Sequence, residues 1–161
     1  MAFDLMANLI VLMRTNVALV AAFGDNPMTP KFWSNYSALH DYFIQDHIQD
    51  QEVLDVMPYL VFTEPQETKT YESKDSTGNP SAAAIGLIVA DGYASTEILA
   101  RELGEQLCSV LNDCDESISN LFYFRRSSQA MPPMTTTGPD GSPTIFRRSI
   151  QFKYFYEESL V

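Results

Sequence analysis

An alternating run near the C-terminus constrains the fold of this chain more than any other segment. Across residues 144–156, every second side chain would lie on the same side of an extended strand. One side carries mainly apolar and aromatic groups, namely Phe146, Arg148, Ile150, Phe152, Tyr154 and Tyr156. The other side carries Ile145, Arg147, Ser149, Gln151, Lys153 and Phe155. Such alternation of β-branched and aromatic residues is typical of a half-buried strand, and it predicts a strand with the first side on the core.

A second aromatic run, at residues 121–126, predicts the partner of this strand. Residues 129–143 separate the two runs and contain a strong turn signal from Gly138 to Gly141. We therefore predict a C-terminal β-hairpin with a long tip loop. Because this loop exceeds the roughly two to five residues that a hairpin needs, we expect residues 129–143 to be functional or mobile.

The upstream part of the chain predicts helices and strands in the order helix, helix, strand, strand, strand, helix. Apolar residues at helical spacing indicate helices over 4–23, within 24–52 and over 95–112, and extended patterns indicate strands at 56–63, 67–72 and 83–90. We expect the second helix to begin at Pro30 after a Thr29 cap, with Phe32 and Tyr36 on its apolar face.

Residues 83–90 are apolar on both sides, which predicts a central strand covered on each face, and Gly86 within it would admit a close neighbour. Together with the hairpin, the element order predicts an α+β fold. We expect a single domain over residues 1–161, with a mostly antiparallel sheet of four to five strands and two to three helices packed on it. Residues 24–52 form an insertion-like helical addition to this plan.

Charge is distributed unevenly along the chain. The formal net charge is -11, but residues 1–116 hold 18 acidic and 5 basic residues, whereas residues 117–161 hold 3 and 5. Because contacts with phosphate need clustered lysine and arginine, this balance disfavours a nucleic-acid-binding surface. Cys108 and Cys114 lie six residues apart across a predicted helix end, so we expect reduced thiols rather than a disulfide framework.

The apolar N-terminal segment is predicted to be a core helix rather than an export signal or a membrane span. Asp4 lies where a secretory signal has lysine or arginine, and Asn8, Arg14 and Asn16 interrupt the apolar run. We therefore expect no membrane partner.

One cluster in the sequence has the residue types of a catalytic or metal site. His40, Asp41, Asp46, His47 and Asp50 combine two imidazoles with three carboxylates. Metal-binding pairs on a helix are usually spaced by about three or four residues, so the spacing of seven favours a solvated acidic helix face. A small metal-dependent hydrolase is kept as an alternative. The sequence has no nucleophile motif and no phosphate-binding glycine loop, and we predict no cofactor and no enzymatic activity.

The basic residues form two doublets, Arg125-Arg126 and Arg147-Arg148. In paired strands each doublet splits across the two faces of the sheet. We favour salt bridges between subunits as the role of these arginines. Solubility and DNA contact are the two alternative roles.

The order and spacing of these elements resemble those of the tail terminator (tail completion) proteins of tailed bacteriophages and related tail-like particles. The likeness comprises a leading helix, the strand at 58–62, a polar hairpin, the strand and long helix over 83–112, and the arginine-rich closing hairpin around its Pro/Gly-rich tip. Residues 27–52 depart from the compact pattern as an extra helix. The resemblance implies a structural virion protein that forms a ring, usually hexameric, which caps the tail tube and joins it to the head-side connector.

The same resemblance implies partners and a location. The partners are other copies of this chain, the major tail tube protein and a head-completion or stopper protein, with DNA only in transit through a lumen that we expect to be net negative. The location is the tail or neck of a virion assembled in the host bacterial cytoplasm, and a head-completion or neck adaptor ring is the nearest alternative. The predicted interface comprises the arginine doublets and the hairpin tip: Arg125, Arg126, Met131, Pro132, Pro133, Met134, Pro139, Asp140, Arg147 and Arg148.

Overall fold

Two long antiparallel strands form the centre of the molecule. Residues 3–39, 57–63, 65–74, 77–127, 134–137 and 144–160 are described in a computed structural model of the chain. Strand β4 (Pro80–Ala94) pairs with β7 (Thr144–Ser159) without interruption from Ser81 opposite Ser159 to Ala94 opposite Phe146. The predicted alternation of β7 is confirmed, since Arg148, Ile150, Phe152, Tyr154 and Tyr156 are all buried on one face.

Shorter strands extend the sheet on both sides of this central pair. On the far side of β4 lie β2 (Tyr59–Phe62) and β3 (Gln66–Lys74), and on the far side of β7 lie β5 (Leu121–Arg126) and β6 (Met134–Thr137). These pairings are antiparallel, and only the two-residue β1 (Phe32–Trp33) runs parallel to its neighbour β2. The seven-stranded sheet confirms the α+β class and exceeds the predicted four to five strands because β1 and β6 arise in segments predicted to be helix and loop.

Strand β6 corrects the prediction of a loop over the whole of 129–143. Met134 to Thr137 pair in register with Arg147 to Thr144, so part of the predicted tip extends the hairpin. The three consecutive threonines at 135–137 are β-branched residues with a high strand propensity, a signal that the nearby turn residues obscured.

The N-terminal helix is broken, which corrects the prediction of one helix over residues 4–23. Helix α1 (Leu5–Thr15) and helix α2 (Val17–Phe23) are separated at Asn16 by a bend of 85°. Asn16 adopts an extended backbone conformation and caps α2 by accepting a hydrogen bond from the amide of Leu19, at 2.9 Å. Among the described residues no single helix is long and apolar enough to cross a membrane, although α1 and α2 taken together meet the length and composition of a bent span.

The second predicted helix begins later than Pro30. The side chain of Asn26 accepts hydrogen bonds from the amides of Met28 and Thr29, which closes a local turn in place of a Thr29 cap. Phe32 is then fully buried in β1 rather than on a helix face. Residues 36–39 are helical, with Asn35 accepting from the amide of Ala38, and the rest of the predicted helix lies outside the described residues.

All the named helices pack on the same face of the sheet. Helix α3 (Glu97–Leu111) is followed by a short 3-10 helix (Cys114–Ser117), and its buried positions share one core with α1, α2 and the inward side chains of β4 and β7. A smaller cluster of Leu39, Met57, Tyr59 and Val61 covers one end of the opposite face.

Gly86 admits the ring of a neighbouring tyrosine, as predicted. It lies opposite Tyr154 on β7, and a Cβ atom at Gly86 would come within 2.4 Å of the Tyr154 hydroxyl and 2.7 Å of the carbonyl oxygen of Gln66. Tyr154 is fully buried, and its hydroxyl donates to Glu67 Oε2 on β3 at 2.7 Å. Burial and this hydrogen bond raise the pKa of Tyr154. The absence of a side chain at Gly86 therefore lets a β7 tyrosine reach across β4 to β3.

Lys69 makes a second connection between β3 and β7. Its Nζ lies 3.0 Å from Glu158 Oε1 and 3.8 Å from Glu67 Oε1. The hydrogen bond from Lys69 holds the pKa of Glu158 below its usual range and raises that of Lys69 itself.

We predict that Gly86→Ala destabilises the fold by about 1–3 kcal/mol, because the added methyl group meets a buried ring on one side and backbone on the other. Gly92→Ala is the matched control. It lies in the same strand, and its Cβ would meet nothing closer than the Arg148 carbonyl oxygen at 3.9 Å. Urea unfolding of both variants measures the difference, and equal midpoints for the two would contradict the packing argument.

Candidate assembly interface

The two arginines of the 147–148 doublet face opposite sides of the sheet, as predicted. Arg148 lies on the core face and is 4% exposed. Its Nη1 donates to the carbonyl oxygen of Arg101 at 2.8 Å, and its Nη2 donates to Glu105 Oε1 at 2.6 Å. Both partners belong to α3 of the same chain. Arg148 therefore joins α3 to β7 inside the subunit, which the prediction of an intersubunit role did not anticipate.

Gly104 makes this position possible. A Cβ atom at Gly104 would lie 2.5 Å from Arg148 Cδ and 2.8 Å from its Nε, so the aliphatic part of the arginine occupies the space above the helix backbone. A glycine within an amphipathic helix is the sequence signal that a bulky group crosses there. The local sequence pattern alone does not connect Gly104 with Arg148.

Arg147 lies on the opposite face beside a polar cluster formed by Tyr36, Asp91, Tyr93 and Ser149. The Tyr36 hydroxyl donates to Asp91 Oδ2 at 2.5 Å and lies 2.7 Å from the Tyr93 hydroxyl. Ser149 Oγ donates to the other oxygen of Asp91. A hydrogen bond with Tyr93 raises the pKa of Arg147, and burial raises that of Tyr36.

This cluster fixes the short helix at 36–39 to the sheet. Asp91 lies one residue beyond the predicted strand at 83–90, but β4 continues through it. It is 5% exposed, and its carboxylate is accommodated there because it accepts hydrogen bonds from two hydroxyl groups. No local sequence pattern predicts this hydrogen bond, because Tyr36 and Asp91 are 55 residues apart.

The 125–126 doublet borders a polar groove between β5 and the C-terminal part of α3. Arg125 Nε lies 2.5 Å from Asp113 Oδ1, and its guanidinium is 5.5 Å from the ring centre of Tyr123. The Arg125 side chain is 58% exposed. The hydrogen bond with Asp113 raises the pKa of Arg125. The groove is lined by Glu105, Cys108, Ser109, Asn112, Asp113, Tyr123, Arg125 and Arg126.

The two cysteines are free thiols. Cys108 is half-buried in this groove, with Arg126 Nη1 3.9 Å from its sulfur, and Cys114 is buried under the sheet. Burial raises the pKa of both, that of Cys114 to about 12. These are not activated thiolates of the kind that a nucleophilic site requires.

Most of the predicted tip residues lie outside the described residues: Met131, Pro132, Pro133, Pro139 and Asp140. Met134 begins β6, where it pairs with Arg147. His40 and His47 also lie outside, and within the described ranges no group of three or more His, Cys, Asp or Glu residues is arranged to hold a metal ion.

An exposed apolar strip crosses the sheet face opposite the helices. Ile85 on β4 pairs in register with Phe155 on β7, and Phe155 pairs with Tyr123 on β5. The Phe155 ring centre is 5.8 Å from that of Phe122. Ile85 is 53% exposed and Phe122 55% exposed. The prediction that residues 83–90 are covered on both faces is therefore wrong at Ile85, and we call the four residues Ile85, Phe122, Tyr123 and Phe155 the apolar strip.

The comparisons with known proteins give a fold relationship. A chain in the solved structure of the virion of a native gene transfer agent (GTA) particle superimposes on this chain with a TM-score of 0.55. The two are 11% identical in sequence, and the match covers 96% of each chain. No protein-family profile matches the sequence, and no curated protein sequence matches it significantly. The fold of this protein is therefore one that occurs in the virion of a gene transfer agent.

We predict that Arg148→Ala lowers the free energy of unfolding by about 2–4 kcal/mol, because it empties the space above Gly104 and removes two hydrogen bonds between α3 and β7. Arg125→Ala serves as the comparison, since its exposed guanidinium bonds only to a surface carboxylate. Its unfolding midpoint in urea should stay near that of the wild type. Similar losses in the two variants would contradict the assignment of Arg148 to the interior.

Proposed function

We propose that this protein is a structural virion protein of the tail terminator type, a ring-forming subunit that caps a tail tube and joins it to the head-side connector. The observation that carries the proposal is the match over 96% of both chains to a component of a phage-like particle. The element order that resembles tail terminator proteins supports the same conclusion. A match of this extent involves the whole domain, including both margins of the sheet.

The surface chemistry agrees with a subunit that works by assembly. In the described part of the chain the strongly bonded polar groups, such as Asp91 and Arg148, hold elements of the fold together. The apolar strip and the polar groove are exposed instead. Exposed apolar surface next to charged groups is typical of a protein contact site.

A head-completion or neck adaptor ring is the second candidate. The similar chain is a component of a virion particle, and the fold match alone fits either position. Binding of the purified protein to isolated tail tubes, compared with binding to tail-less heads, separates the two.

We predict that the protein forms closed rings of about six copies on native tails, as the resemblance to tail terminator proteins implies. Head-to-tail contacts between identical subunits close into a ring when the rotation per subunit divides a full turn. Negative-stain imaging of tails with and without the added protein measures this. A helical filament, or a strict two-fold dimer at the tube end, would contradict the proposed function.

We also predict that the lumen of the ring is net negative and that the protein does not retain duplex DNA. The excess of acidic residues over residues 1–116 supplies the charge, and repulsion of phosphate would let DNA slide through. The screening length at physiological salt is about 8 Å, so only charges near the channel wall act on the DNA. A titration with duplex DNA at low salt tests this. Tight binding that weakens steeply with added salt would indicate a basic lumen and contradict the prediction.

A further inference from the structure

We infer that the sheet face carrying the apolar strip is an intersubunit surface, and that it packs on the outer face of α3 of a second copy of this chain. The inference rests on the proposed ring and specifies which two surfaces meet in it. The subunit is layered: helices α1, α2 and α3 lie on one face of the sheet, and the apolar strip lies on the other, whose far end is covered by the short helix at 36–39.

The strip is bordered by positive charge on one side, while on the other side Glu157 lies two residues from Phe155 and accepts a hydrogen bond from Ser81. Lys153 is exposed on the same face of β7 as Phe155, two residues away, and it pairs in register with Leu87 on one side and Arg125 on the other. Arg125 is 58% exposed even though it is bonded to Asp113. This end of the sheet therefore combines apolar side chains with two cationic groups.

The outer face of α3 has the complementary character. Ile98, Glu102 and Glu105 recur at intervals of four and three residues, so they lie on one side of the helix. Ile98 is 72% exposed, and Glu102 is exposed as well. Glu97, one residue before Ile98, adds a further carboxylate, which Arg101 contacts at 3.0 Å. Glu105 and Glu97 are bonded to Arg148 and Arg101 within the subunit, so Glu102 is the carboxylate beside Ile98 that complements the cations along one side of the strip.

The two surfaces are separate: Ile85 and Phe155 lie on the sheet face opposite α3, whereas Ile98 and Glu102 lie on the outer side of α3. A contact between the strip of one copy and α3 of the next uses different surfaces on the two partners. Such a heterologous contact repeats from copy to copy, so it gives a ring when the rotation per copy closes, as in the proposed ring, and it does not give a two-fold dimer. The occupant of the strip is thus a second copy of this chain, with Lys153 placed to meet Glu102.

A charge exchange tests the contact. Lys153→Glu and Glu102→Lys should each weaken self-association by roughly tenfold, because each places like charges opposite one another. The double variant carries the exchanged pair in every copy, so its association should return to within about threefold of the wild type. Sedimentation velocity over a concentration series, with negative-stain imaging of the assembled species, measures both.

The apolar part of the contact has its own variant and control. Ile85→Asp should abolish assembly, whereas Val17→Asp should leave it unchanged, since Val17 is 84% exposed on α2, in the helix layer. Unfolding midpoints of all the variants show whether a loss of assembly reflects a loss of folding. Single variants that assemble like the wild type, or a double variant worse than either single one, would overturn the inference.

The outcomes separate this inference from the proposed function. Rings that form in all the single variants leave the proposed ring intact and show that other surfaces, or another protein on the strip, are involved. Two-fold dimers sensitive to Ile85→Asp would overturn the head-to-tail arrangement and count against the ring. A wild-type protein that stays monomeric at every concentration overturns self-association through this face, and imaging of native tails then decides the proposed function alone.

Discussion

The match of small residues on β4 to large ones on β7 is the packing interaction on which the rest of the structure depends. On the core face, Ala84 lies opposite Tyr156, Gly86 opposite Tyr154, and Ala90 opposite Ile150. Because the β4 side chains are short, the β7 rings lie over them and reach the next strand, where Glu67 accepts from both tyrosine hydroxyls. One strand thus supplies space and the other fills it, and three neighbouring strands are held together by side chains as well as by backbone hydrogen bonds.

The same pattern recurs between the helix layer and the sheet. Gly104 on α3 leaves room for the Arg148 side chain, which then bonds to the helix that it crosses. Arg148 lies among apolar and aromatic residues on its strand face, and its burial is acceptable because its terminal nitrogens are bonded. The ion pair as a whole costs less to desolvate than a fully buried one, because Glu105 remains largely exposed to water.

Local patterns predict much of this fold. The alternation of residues 144–156, the aromatic run at 121–126 and the periodicity of α3 each predict an element that the structure contains. The failures occur where a side chain competes with the expected backbone pattern. Asn16 caps a new helix in the middle of an apolar run, and Asn26 forms a turn that displaces the start of the next helix. The candidate surfaces were harder to predict, since the doublet pattern does not reveal that one arginine is internal, and the apolar strip requires three strands in register.

The uninterrupted pairing of β4 with β7 also gives the subunit a mechanical axis. With a rise of about 3.3 Å per residue, the paired stretch from Ser81 to Ala94 is roughly 45 Å long. The hydrogen bonds between the two strands lie perpendicular to this axis. A pull along the strands would therefore load all of them at once in shear, whereas a pull across the strands would open them one after another from an end. The outer strands lack this continuity, because two separate strands, β2 and β3, pair with β4 on one side, and two others, β5 and β6, pair with β7 on the other. Under load, the paired strands β4 and β7 would therefore carry the force, and the shorter outer strands would separate first.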